Sequence, residues 1–332
     1  MNIRPRIIYM GTPEFAVAPL KRLIEEGFDI AGVVTVPDKP GGRGLKINES
    51  DVKKYYLSSG LPGQGVPLLQ PVSLKDPRFL EELEALRADL FIVVAFRMLP
   101  EVVWKMPELG TFNLHGSLLP KYRGAAPVNW AIIRGEQESG VTTFLIDENI
   151  DTGNILMQRT CPITGRETIG TLYEKLMHLG AELVTETVRG LQEGRLQPQP
   201  QQGATTHAPK LTKETGKLRW ATPQRQEESL AVLADRLVRG LSPYPAATAA
   251  ISNGEKTFDM KVFDVSVIRE KTLPEAEGEP GRIRSDNKTY IHAVCGDGSV
   301  LSINDLQIAG KKRMPVREFL MGFRNIETYK FI

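Results

Sequence analysis

Apolar residues gather in an unbroken run at Arg6–Gly11 (RIIYMG), recur at Phe15, Leu20, Leu23 and Ile24, and gather again at residues 30–36 (IAGVVTV). Unbroken runs suit strands buried on both faces, and the spaced stretch between them, residues 13–26, has helical periodicity. The spacing predicts a βαβ opening. Residues 90–96 (LFIVVAF), Thr111–His115 (TFNLH) and 141–147 (VTTFLID) continue it, with helices predicted over 79–87 and 126–135 and a long one over 167–193. The expectation is an α/β unit with a mostly parallel, Rossmann-like sheet covered by helices. From residue 194 to 220 the pattern lapses into Gln, Pro and scattered polar residues, the composition of a linker. After a helical piece over 227–240, short strands alternate with Gly, Asp and Asn turns (AATAAI, KVFDVSVI, GRIRSDNKTYIHAVC, SVLSINDLQI), which predicts a small β-barrel or sandwich.

Composition narrows the class. With 332 residues, 41% of them hydrophobic and 25% charged, the chain is long enough for two cores. The longest apolar run, residues 90–96, falls far below the roughly 18 residues of a membrane span, and the basic start MNIRPRIIYMGTPEF lacks the apolar core and cleavage site of a signal peptide. A cytoplasmic protein is expected. Cys161 and Cys295 lie far apart without metal-ligand spacing, so two buried thiols are expected, with neither a disulfide nor a metal. Residues 205–332 hold 20 Lys and Arg against 16 Asp and Glu, a slight basic excess that fits a polyanionic partner and equally an ordinary solvated surface.

Candidate chemistry sits where TFNLH runs out. Ligands of open α/β sheets bind at the carboxyl ends of strands, and Asn113 and His115, two apart, share one face. An amide donor beside an imidazole can stabilise an oxyanion on a carbonyl or formyl carbon, although such a pair also serves as a hydrogen-bonded structural element. Asp151, in IDENIDTGNIL, follows the strand predicted at 141–147, where its carboxylate would reach the imidazole or merely shape a turn.

FNLHGSLLPKYRGAAPVNWAI, taken with DTG, resembles the signature of the folate-dependent formyltransferases. The resemblance implies a catalytic trio: Asn113 bonding the formyl oxygen, His115 supporting the tetrahedral intermediate, and Asp151 orienting and charging His115 while helping, through water, to deprotonate the attacking amine. It also implies that 10-formyltetrahydrofolate is the donor, with no metal. Its ring would be held by the backbone of residues 93–100, including Arg97, Met98 and Leu99, opposite the loop from Asp147 to Asp151. Ser117, Leu118, Leu119 and Pro120 match the folate-contacting segment. One departure stands in the final turn: where the family usually has Gly just before Leu-Asp-Thr-Gly, this chain has Asn149 followed by Ile150; Asn tolerates left-handed backbone angles, so the turn is expected to survive.

The formyl acceptor is read elsewhere. YMGTPEF has a Pro where a dinucleotide fingerprint would place glycine, which argues against a nicotinamide cofactor. Residues 35–47 (TVPDKPGGRGLKI) insert a Gly- and Pro-rich loop carrying Lys39, Arg43 and Lys46, a composition suited to a nucleic-acid backbone. This loop, together with HAPKLTKETGKLRW, RGLSPYPAA and GKKRMPVREFLMG, resembles the branch of the family whose acceptor is initiator methionyl-tRNA. The resemblance implies a catalytic domain over 1–194, a linker over 195–216 and an OB-like tRNA-binding barrel over 217–332. Lys210, Lys213, Lys311, Lys312 and Arg313 would then make phosphate contacts. A monomer is expected. A sugar-nucleotide formyltransferase, or an inactive formyltransferase core that only binds RNA, remains an alternative.

Overall fold

The computed structural model describes residues 4–41, 46–221, 227–268 and 279–332, which group into two compact units. The first comprises the chain to residue 127, 138–162 and 173–208. Its strands are β1 (Arg6–Gly11), β2 (Asp29–Val34), β3 (Lys39–Gly41), β4 (Lys46–Asn48), β5 (Leu68–Leu69), β6 (Leu90–Val94), β7 (Thr111–His115), β8 (Arg123–Gly124), β9 (Glu138–Leu145), β10 (Ile155–Pro162) and β11 (His207–Ala208). Seven of them form one sheet, in the order β10-β9-β7-β6-β1-β2-β5. The unit's helices are α1 (Val17–Glu25), α2 (Asp51–Ser58), α3 (Pro77–Ala85), α4 (Glu101–Trp104) and, from residue 173 on, α6 (Ile169–Gln192), while α5 (Pro127–Ile133) falls, but for Pro127, in the second unit.

The apolar runs become the central strands because both of their faces are covered: Ile7, Ile8, Tyr9 and Met10 are all fully buried. On one face Ile8, Met10, Phe91 and Val93 pack with Phe79 and Leu83 of α3. The α3 start is fixed by the Asp76 carboxylate, which accepts the Arg78 N–H at 2.9 Å, with Pro77 in the first turn. On the other face α6 approaches so closely that a Cβ on Gly180 would stand 2.8 Å from Leu114 Cδ2.

Strand direction differs from expectation at one edge. β1, β2, β5, β6 and β7 are parallel, but β9 runs antiparallel to β7, and β10 antiparallel to β9. Periodicity does not encode direction. The strand predicted at 141–147 therefore ends with Leu145 beside Phe112, toward the start of β7.

The second unit comprises residues 128–137, 163–172 and 209–332. Its strands, β12 (Ala247–Ser252), β13 (Thr257–Ile268), β14 (Ile283–Ser285), β15 (Ile291–Val294), β16 (Val300–Ile308), β17 (Met314–Pro315) and β18 (Lys330–Phe331), form one antiparallel sheet in the order β14-β15-β16-β13-β12-β18, with β17 beside β16. A bridge between Arg282 and Lys330 joins the two ends of that order, so the sheet curls into a nearly closed barrel. α7 (Leu230–Leu241), capped by Ser229, and α8 (Val316–Gly322) contribute Leu230, Val238, Phe319 and Leu320 to its core. Both cysteines are free and buried. Burial pushes the Cys295 thiol up to about 11, so at pH 8 only about a thousandth would be thiolate. Mass spectrometry after iodoacetamide treatment should find Cys295 unmodified in the native protein and alkylated after denaturation in guanidinium; native labelling at pH 8 would contradict this packing.

Candidate active site

Asn113 and His115 lie on the same face of β7, and Asn113 is flanked by Val93 of β6 and Phe144 of β9. Among the described residues the half-buried Asn113 amide has no hydrogen-bond partner, so its donors are open to a ligand. His115 is only 6% exposed. Its Nε2 lies 2.9 Å from the Tyr122 carbonyl oxygen, and since a carbonyl only accepts, Nε2 carries a proton. Nδ1 is thereby left to face Asp151.

The Asp151 carboxylate stands 3.8 Å from His115 Nδ1, an ion-pair separation longer than a hydrogen bond. The other geometry is tight. Asp151 Oδ2 accepts the Gly124 N–H at 2.8 Å, and Gln201 Nε2 donates to the carbonyls of Asp151 and Gly153, each at 2.9 Å. Because β9 is antiparallel, residues 146–154 must travel back along β7 to bring Asp151 to His115. The turn achieves this with Asp151 itself in the left-handed region, at φ 57°, whereas Asn149 is not left-handed. The tolerance that Asn149 offers is not called on: its N–H donates to Asp147 Oδ1 at 3.0 Å, and Thr152 Oγ1 donates to the same oxygen at 2.6 Å. Asp147 thus braces the loop by an Asx-type turn.

Four supports escaped the sequence reading. Tyr122, in the left-handed region at φ 60°, donates its N–H to the Thr206 hydroxyl oxygen at 2.9 Å, with its carbonyl at His115 Nε2. Gly124 is at φ 121° and a Cβ there would meet Ala208 O at 2.7 Å, so only glycine lets its N–H reach Asp151. Arg123 donates to Gln201 Oε1 at 2.6 Å. Gln201, Thr206 and Ala208 all come from the Gln- and Pro-rich stretch whose composition reads as linker; Gln199 also bridges Ile155, and β11 pairs with β8. Polar residues without periodicity gave no sign of these bonds.

Ser117 is buried and donates its hydroxyl to Lys121 O at 2.6 Å, while Thr142 Oγ1 donates to Ser117 O at 2.6 Å and accepts the Leu119 N–H at 3.2 Å. Leu119 is buried, and Leu118 and Pro120 are half-buried. This segment is a braced shelf beside the trio. After β6 the chain turns through a left-handed Ala95 into a cleft of about 780 Å³ lined by residues including Ser73, Lys75, Arg97, Met98, Leu99, Glu101 and Val102. Asn113, His115 and Asp151 do not line it. Met98 is 75% exposed and Leu99 buried. Arg97 donates to the Val72 and Pro71 carbonyls at 2.9 and 2.8 Å, and desolvation holds its pKa below the usual guanidinium value. Among the described residues its buried Nε has no partner, a polar atom left over at the cleft.

The basic residues are dispersed. Lys39 is exposed on β3, which pairs with β4, the strand that begins at Lys46. Arg43 lies outside the described residues. In the second unit Lys210, Lys213, Lys311 and Lys312 are exposed, but Arg313 is engaged: Nη2 is 2.7 Å from Asp305 Oδ2 and the guanidinium lies 4.4 Å above the Phe263 ring.

A mostly parallel sheet carries an Asn, a His and an Asp near the end of one strand, an arrangement able to stabilise charge on a carbonyl-type carbon. Residues 5–188 match the family model described as formyl transferase, and residues 210–324 match that of the formyl transferase C-terminal domain, so the chain belongs to the formyl transferase family in its two-domain form. It is 49% identical to the methionyl-tRNA formyltransferase of Parabacteroides distasonis, over 98% of this chain and 97% of the relative, and 42% identical to that of Caldanaerobacter subterraneus, over 96% of each. Among solved structures it is similar to HypX from Aquifex aeolicus in complex with tetrahydrofolic acid (TM-score 0.61, 20% identity). That match covers 96% of this chain but only 47% of HypX. The sugar 3N-formyl transferase WlaRD is a further match (TM-score 0.63, 18% identity), over 93% of this chain and 100% of that one. At such identities these structures speak for the fold alone.

Proposed function

We propose that the chain transfers a formyl group from 10-formyltetrahydrofolate to the α-amino group of methionine on initiator methionyl-tRNA. The observation that carries this reading is the convergence of Asn113, His115 and Asp151 at the end of β7, in a chain matched along nearly its whole length by methionyl-tRNA formyltransferases. Asn113, its amide free, donates to the formyl oxygen as negative charge develops there. His115 holds one proton on Nε2 against Tyr122, so its Nδ1 receives a second, and Asp151 stabilises the resulting imidazolium. The methionine amine must be neutral to attack, and the His115–Asp151 pair is the place where its proton is taken up. The 3.8 Å gap would close in the complex, as catalytic hydrogen bonds often do.

The residues beside the trio fit the folate donor. Its flat ring and aryl linker call for an apolar wall with a few polar groups, and the cleft that follows β6, lined by Met98, Leu99, Val102 and Arg97, supplies that chemistry without being lined by the trio. Ser117 and Leu119 act through the shelf they brace, and Asp147 through the loop it holds. Lys39, Arg43, Lys46, Lys210, Lys213, Lys311 and Lys312 are the proposed phosphate contacts; Arg313, paired to Asp305, is the weakest of the set. The domain division at 1–194, 195–216 and 217–332 is retained as a functional division, with residues 199–208 also bracing the catalytic loop. No helix among the described residues is long and apolar enough to cross a membrane, and we place the enzyme in the cytoplasm as a monomer.

Formyl incorporation from 10-formyltetrahydrofolate into charged initiator methionyl-tRNA tests this, with glycinamide ribonucleotide and an amino-sugar nucleotide as parallel acceptors. Formylation of the tRNA alone is the expected result. Transfer only to a small amine would keep the trio's role and discard the tRNA, and transfer to none would remove both.

A further inference from the structure

The ribbon formed by β3 and β4 rises from two feet, residues 35–38 before it and 49–51 after it, and one side chain grips both. Lys53, in the first turn of α2, places its ammonium on Asp38 Oδ2 and, at 3.0 Å, on Glu49 Oε1. The other Asp38 oxygen accepts Gln70 Nε2 at 3.0 Å, and the same amide donates to Val36 O at 2.9 Å. Below the ammonium, Ser50 caps α2 by accepting the Lys53 N–H at 3.1 Å. Thr35 Oγ1 gives its proton to Gly11 O at 2.7 Å, so the Ser50 hydroxyl must donate in the 2.7 Å contact between the two side chains. The ribbon's roots are thereby tied to the carboxyl end of β1.

The Lys53 side chain is only 15% exposed, against 28% for Asp38 and 35% for Glu49. A lysine kept from water between two carboxylates, one on each foot, links elements that each bring only one partner. The ribbon above it offers the exposed Lys39 and the 71% exposed Ile47 to solvent. Removing the ammonium would leave two partly shielded carboxylates facing each other, and their repulsion would spread the feet. Mutual stabilisation agrees with the titration of the pair: hydrogen bonding to Lys53 lowers Asp38, and hydrogen bonding to Asp38 raises Lys53.

We propose that Lys53 is a positioning residue for the acceptor: by holding Asp38 and Glu49 together it sets the stance of the basic ribbon, and so the binding of the tRNA, without touching the tRNA or the formyl group. The proposal rests on tRNA being the acceptor. Lys53→Met keeps most of the side chain's length and removes its charge. It should raise KM for initiator methionyl-tRNA about tenfold, within the range that coupled neighbours transmit, while leaving kcat at saturating tRNA and KM for the folate donor within a factor of about two. Lys53→Arg, which can still span both carboxylates, should restore most of the loss. Combined with Lys39→Ala and Lys46→Ala, Lys53→Met should add less than it does alone, because the ribbon it orients has then lost two of its charges. A readout independent of tRNA is tryptic cleavage at the Lys46–Ile47 bond, which should quicken in Lys53→Met at unchanged melting temperature; the Lys39–Pro40 bond is resistant to trypsin and serves as a blank. If the wild-type chain formylates tRNA but Lys53→Met has unchanged tRNA KM and unchanged cleavage, or if donor KM rises and kcat falls along with the loss of tRNA affinity, the positioning role is wrong. If the wild-type chain formylates no tRNA, the acceptor reading is what fails, and unchanged cleavage would separately end the clamp.

Discussion

Asn113→Ala should leave a folded protein that turns over about a hundred- to a thousandfold more slowly, the usual loss when one oxyanion donor is removed from a preorganised site. The structural cost is small because the Asn113 amide has no protein partner to orphan among the described residues. Asp151→Asn should be as damaging for a different reason. An asparagine can still accept the Gly124 N–H through its carbonyl oxygen and can keep the backbone bonds to Gln201. It cannot stabilise a proton on His115 Nδ1, so turnover should fall by about 10²–10⁴-fold, the contribution of a positioned acid–base group. Formylation kinetics checks both variants, with circular dichroism and thermal unfolding to show an intact fold. Near-normal kcat in either, in a protein that unfolds like the wild type, would remove that residue from the chemistry.

The parts of this site that the sequence makes legible are those carried by local pattern. TFNLH could be read as a strand with two polar residues on one face because a period of two is fixed by the backbone, and β7 spans Thr111–His115. What holds those side chains in place is non-local. Nothing in KYRG foretells that Tyr122 bends left-handed to offer its carbonyl to His115, since that bend depends on Thr206, 84 residues away in sequence. Gln201 is equally silent: a glutamine in a Gln- and Pro-rich stretch has no periodicity, yet it holds two carbonyls of the turn that carries Asp151. Tolerance of positive φ marks Asn149 as permissive, but it does not say where the turn uses such an angle, and the left-handed residue is Asp151. In the barrel the strand-and-turn pattern is legible, although β13 starts at Thr257, before KVFDVSVI, and GRIRSDNKTYIHAVC holds two strands; closure depends on the bridge between Arg282 and Lys330, 48 residues apart, which no short window of sequence contains.

Gly153→Ala is expected to be the most disruptive single methyl in the catalytic unit. A Cβ at Gly153 would stand 1.6 Å from Leu145 O and 2.8 Å from Leu145 C, and both are backbone atoms of β9 that no rotamer change can move. Relief requires the hairpin of β9 and β10 to open. Leu145 N donates to Asn154 O at 2.9 Å at the base of that hairpin, and Gln201 ties Gly153 O to Asp151 O, so a shift at 153 is transmitted to Asp151 within two residues. Overpacking of this kind costs about 1–3 kcal/mol or more even where side chains can yield. Because the site depends on Asp151 lying against His115, activity should fall at least about a hundredfold, as misplacement by about an ångström does. Gly63→Ala is the control, since a Cβ there meets nothing within 4 Å, and it should match the wild type in both measurements. Thermal unfolding and formylation rates of the two variants decide the matter: a Gly153→Ala protein with wild-type stability and turnover would mean that the turn, and the Gln201 bonds that hold it, do not govern where Asp151 stands.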